Sequence, residues 1–74
     1  MKLNGGCIVE ILAHAPNGGL TIEEIIESLK LMYYGPEFNI TYNDVYWHLN
    51  NGPIYDKISK TKHPYRKDKY VLLK

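Results

Sequence analysis

Six of the nine Lys and Arg residues of this chain fall between Lys57 and Lys69, at Lys57, Lys60, Lys62, Arg66, Lys67 and Lys69, with His63 among them. Fixed positive charge at that density can meet phosphate. It can equally be the solvated tip of a hairpin. Other chemistries lack material. His14, His48 and His63 do not form a metal spacing, and Cys7, the single cysteine, sits among apolar residues as a core thiol. No Ser or Cys is paired in sequence with an obvious base, and no glycine-rich loop precedes a helix as phosphate-binding loops require. Glu23, Glu24 and Glu27 have the spacing of a solvated helix face. The expectation is a protein that is not an enzyme and needs neither metal nor cofactor.

Charge is divided along the chain although the net value is only +1. Residues 1 to 37 carry Lys2 and Lys30 against five glutamates and sum to −3, whereas residues 38 to 74 sum to +4. An acidic back and a basic face follow from that asymmetry. With 74 residues the chain is expected to form one domain, residues 1 to 74. A chain of this length buries only about 60% of the surface its unfolded form exposes, so a second copy could assist its stability. Leu3 with the first helix, and Val71 to Leu73, are the apolar material for such a homodimer. No apolar run reaches membrane-span length and no signal-peptide pattern opens the chain, so the expectation is an intracellular protein, in cytoplasm or nucleus.

Three helices and a hairpin must position these residues. Cys7, Ile8, Ile11, Leu12 and Ala15 fall at helical spacing and predict a first helix over about 6–15, ended by Pro16-Asn17-Gly18-Gly19. Thr21 and Glu24 form a capping box ahead of a second helix over about 22–33. Its apolar stripe is Ile22, Ile25, Ile26, Leu29, Met32 and Tyr33, and Gly35-Pro36 ends it. Leu20, just before, either starts a short strand or plugs the core. Thr41 and Asp44 repeat the capping pattern before a third helix over about 42–51, closed by Gly52 in a left-handed cap and by Pro53. Projection at 100° per residue puts Tyr42, Val45, Tyr46 and Leu49 on the core side and Asn43, Asp44, Trp47, Asn50 and Asn51 on the other. Residues 54 to 60 and 69 to 73 read as strands of a hairpin spanning about 54–73.

The capped helix Thr21 to Tyr33, the turn, the helix Thr41 to Asn51 and the hairpin closing on Lys69-Tyr70-Val71-Leu72-Leu73 resemble the winged helix-turn-helix family. The implied fold class is α+β, three helices followed by a two-stranded β-hairpin wing. The turn from Tyr34 to Ile40 is longer than that of a tight helix-turn-helix, more like the winged helices of forkhead, linker-histone and archaeal proteins. Free-standing domains of this size are common in that family as small regulators of microbes, plasmids and viruses.

The resemblance implies double-stranded DNA as partner and a role in transcription regulation or DNA architecture. The third helix would enter the major groove, with Asn43, Trp47, Asn50 and Asn51 toward bases. Thr41, Lys57, Lys60, Lys62, His63, Tyr65, Arg66 and Lys67 would face phosphate. Asn can pair with adenine through two hydrogen bonds, but the third helix carries no Arg or Lys for guanine. Asp44 would repel phosphate unless it serves as a cap. Trp47 on the polar face is either folded onto the hairpin base or a neighbouring turn, or is an anchor for a partner. The second reading is therefore a winged helix that binds protein through its Trp47 face.

Overall fold

The computed structural model describes residues 3–16, 18–63 and 66–73, with only the backbone of Lys62, His63 and Arg66. Asn17, Pro64 and Tyr65 lie outside the described residues, and with Tyr65 one of the expected phosphate contacts. Helix α1 spans Gly5–Ala13. It starts one residue earlier than its apolar pattern suggests because Asn4 caps it, Oδ1 accepting from the Gly6 amide at 2.8 Å. Its buried residues, Ile8, Ile11 and Leu12, follow the expected stripe.

Helix α2 spans Ile22–Leu29 and opens on the expected capping box. The Glu24 amide donates to Thr21 Oγ1 at 3.2 Å and the Thr21 amide donates to Glu24 Oε1 at 2.9 Å. The second helix does not continue unchanged to Tyr33. Lys30–Tyr34 form a π-helical turn, closed by the Gly35 amide donating to the Lys30 carbonyl five residues back, at 2.8 Å. The wider turn breaks the apolar stripe after Leu29. Met32 and Tyr33, expected inside, are 57% and 45% exposed, and Leu31 is 88% exposed. Tyr34 comes inward instead and stacks on Phe38 with ring centroids 4.5 Å apart. Gly35 then reverses the chain at φ 88°, a conformation L side chains resist.

Helix α3 spans Tyr42–Asn50, and Asp44 is indeed a cap, its amide and carboxylate both engaged with Thr41. Val45 and Leu49 are its buried residues. Tyr42 and Tyr46, expected on the core side, are 51% and 42% exposed. The core admits one narrow stripe of α3, Val45 and Leu49, and the tyrosines flank it partly exposed. Gly52 is not a left-handed cap, since positive φ occurs only at Gly18, Gly19 and Gly35 among the described glycines. Its smallness serves close approach: a Cβ there would lie 3.0 Å from His48 Cα and 3.2 Å from Trp47 Cζ3.

Residues 54–57, expected as the start of a strand, are a turn and a short 3-10 helix, Tyr55–Lys57, which buries Ile54. The hairpin proper is β1, Ile58–His63, antiparallel to β2, Arg66–Leu72, with Ile58 opposite Leu72, Lys60 opposite Tyr70 and an irregularity between Thr61 and His63. Leu20 adds a single bridge to Tyr70 through two backbone hydrogen bonds of 3.0 and 2.7 Å, tying the approach to α2 onto β2. The core gathers Ile8, Ile11 and Leu12 from α1, Ile22, Ile25 and Leu29 from α2, Val45 and Leu49 from α3, with Ile40, Ile54 and Tyr70. Burying an aliphatic side chain of this size contributes about 1.5–3 kcal/mol, so these residues are what holds the helices to the hairpin. The result is three helices and a two-stranded wing, as the sequence pattern implies.

Candidate nucleic-acid interface

Helix α3 presents two adjacent stripes, because residues four apart on a helix share a face. Tyr42, Tyr46 and Asn50 form one, turned toward the hairpin; Asn43, Trp47 and Asn51 form the other. Between the first stripe and the hairpin lies a cleft of about 420 Å³ lined by Ile22, Glu23, Tyr42, Tyr46, Lys60, Lys67, Asp68 and Tyr70. Lys60 and Tyr70 are cross-strand partners, and Asp68 lies two residues before Tyr70 on the same strand face. Tyr70 closes the cleft floor at 3% exposure.

The expected base-contacting residues divide between these stripes. Asn43 and Asn51 are exposed, the latter at the C-terminal cap of α3. Trp47 is 51% exposed, with its ring edge against Gly52 and His48 at an interplanar angle of 86°. The turn after α3 thus supports part of the indole, and the rest faces solvent. Asn50 is engaged: its amide donates to the Tyr46 carbonyl at 2.9 Å and to the Tyr70 hydroxyl at 3.4 Å. A two-bond adenine contact needs that amide, so Asn50 would have to leave both partners first.

The expected phosphate-contacting residues also differ in state. Thr41 Oγ1 accepts the Asp44 amide in the cap. Lys60 sits 3.7 Å from Asp68, and Lys67 is hydrogen-bonded to Glu23 at the start of α2. That bond holds the Glu23 carboxyl below its usual value, with its own backbone hydrogen bond assisting, and holds the Lys67 ammonium above its own. Among the described residues Lys57 has no ion pair. Two of the hairpin's lysines are therefore paired with carboxylates, Lys60 within the hairpin and Lys67 across to α2.

Sequence reasoning missed Tyr42, Tyr46, Glu23 and Asp68 as members of this site. The tyrosine signal is present in the sequence, since two aromatic residues four apart make a stripe, but helical projection alone places that stripe on the core side. Among the described residues no group of His, Cys, Asp and Glu could hold a metal, and no helix is long and apolar enough to cross a membrane. The chain matches no protein-family model, no curated protein and no solved structure.

Proposed function

We propose that this protein binds double-stranded DNA as a winged helix, acting as a small transcriptional regulator or architectural factor where DNA is found, in cytoplasm or nucleus. Helix α3 would enter the major groove with Asn43, Trp47 and Asn51, and the hairpin would lie on phosphate through Lys57, Lys60, Lys62, Arg66 and Lys67. The observation that carries this reading is that α3 and the basic hairpin stand side by side across one cleft, which would let a duplex held on the outer stripe of α3 reach the hairpin as well. Phosphate would draw Lys60 and Lys67 from Asp68 and Glu23, and each phosphate neutralised would release counterions from the duplex, so binding should weaken as salt rises. The test is fluorescence anisotropy of a mixed-sequence duplex at about 50 and 200 mM salt, where counterion release predicts a large affinity difference. Absence of binding at both concentrations would overturn it.

A second reading, a protein-binding module, is favoured by Trp47 at 51% and Tyr55 at 59% exposure near the C-terminal end of α3. Exposed aromatic residues of this kind are the usual anchors of protein interfaces. Absence of duplex binding, with a partner captured by wild type and lost with Trp47→Ala, would favour it.

A further inference from the structure

We propose that the cleft between α3 and the hairpin is a site for one unpaired nucleotide of a single strand. Its base would lie against the rings of Tyr42 and Tyr46, while its phosphate would take Lys60 and Lys67 from their carboxylates. This goes beyond duplex binding, and either can fail without the other.

The argument begins with what α3 lacks. It carries no Arg or Lys to read a guanine edge, yet Tyr42, Tyr46 and Trp47 are each exposed by 42% or more. Aromatic rings bind the faces of bases, and in a duplex those faces are covered by the neighbouring pairs. Only an unpaired base offers its face, and stacking on aromatic side chains tolerates any base because every base has one. The Tyr42 and Tyr46 rings are 20° from parallel with centroids 6.3 Å apart, and both residues line the cleft. The cleft volume of about 420 Å³ falls within the range of small-ligand sites.

Cations stand where such a site needs them. Lys60 and Lys67 line the same cleft as the tyrosines, so a base on the rings brings its own phosphate toward the two ammonium groups. Each is held in the free protein by a carboxylate, Asp68 at 3.7 Å and Glu23. Phosphate must displace these carboxylates, and the displaced charge opposes binding. Removing the Glu23 charge should therefore tighten binding, an outcome that simple loss of a surface ion pair does not produce.

The test titrates the full chain into fluorescein-labelled deoxythymidine and uridine decamers and a ten-base-pair duplex, with unlabelled thymidine monophosphate as competitor. The expected result is single-strand binding that Tyr42→Leu and Tyr46→Leu each weaken by about tenfold, the scale of one lost base stack. Tyr42→Phe and Tyr46→Phe should bind as wild type, and Glu23→Gln should bind severalfold more tightly. Duplex affinity should be unchanged by the leucine variants. Preference between the two decamers assigns the strand as DNA or RNA, and competition by the monophosphate shows that one nucleotide suffices. Circular dichroism melts establish that each variant is folded. The proposal is overturned by no binding to either decamer, by folded leucine variants that bind single strands as wild type, or by equal losses on single strand and duplex. Duplex binding without single-strand binding removes this inference and leaves the duplex reading standing.

Discussion

The backbone amide of Asn4, the cap of α1, donates to the phenol oxygen of Tyr34 at 2.9 Å, joining the start of the first helix to the end of the π-helical turn. The same hydroxyl lies 4.0 Å from Cys7 Sγ, toward which it donates. An amide at a helix start has no partner within its own helix, so Tyr34 satisfies a group that secondary structure cannot. Tyr34→Phe should lose about 0.5–1.5 kcal/mol, the net worth of such a bond. For a domain this small that is a drop in Tm of several degrees. Urea unfolding should show a lower midpoint with unchanged slope, and an unaltered midpoint would show the bond to be energetically idle.

Gly18 and Gly19 both have positive φ, 98° and 81°, but their surroundings differ. A Cβ on Gly18 meets open space. On Gly19 it would overlap the Tyr70 carbonyl and lie 2.6 Å from Val71 Cγ1, in the seam that the Leu20–Tyr70 bridge closes. Gly18→Ala should cost about 1–2 kcal/mol for the left-handed backbone alone. Gly19→Ala should cost about 1–3 kcal/mol more, because the two segments must separate. Thermal melts of the two variants side by side decide the matter; equal losses would mean the seam yields freely.

The Lys67–Glu23 pair ties the wing to α2 and sets a pH window. Glu23 is held below its ordinary value of 4.5 by the Lys67 hydrogen bond, so its contribution to stability is present above that value and lost as pH falls through the lower folded one. Lys67 is held above 10.5 by the same bond, so its contribution is lost as pH rises through the raised value. The Tm difference between wild type and Glu23→Gln should then be largest between these limits and vanish at both extremes. Because both groups are exposed, salt should shrink it as well. A difference that persists in strong acid would assign the effect to packing.

The parts legible in the sequence were those whose partners lie close along the chain. Thr21 with Glu24, and Thr41 with Asp44, are three residues apart, and the structure forms both capping boxes. Leu20 stood out as apolar without a helix to join, and it pairs with Tyr70. The π-helical turn was not legible, because widening one turn brings Tyr34 rather than Tyr33 inward, and Tyr34 answers to Asn4, thirty residues away. Glu23 and Lys67 are forty-four residues apart, and only the docking of the hairpin on α2 makes them neighbours. Tyr42 and Tyr46 were misplaced for a different reason: helical spacing gives the stripe, but its width is set by how closely α2 and the hairpin approach.

The last prediction separates positioning from reading in duplex binding. If Lys57, Lys60 and Lys67 each neutralise a phosphate, replacing any one by Ala should lower the slope of log affinity against log salt by roughly 0.9 and weaken all sequences alike. Asn43→Ala and Trp47→Ala should leave the slope nearly intact and flatten the preference between sequences, by about 1–3 kcal/mol where a two-bond base contact is lost. Asn50→Ala should perturb sequence preference less, since its amide is committed to Tyr46 and Tyr70. Anisotropy titrations over a salt series, on two duplexes of different sequence, measure both quantities at once. Hairpin alanines without effect, beside a helix variant that abolishes binding, would reduce the basic wing to a solvated hairpin and leave α3 as the whole of the interface.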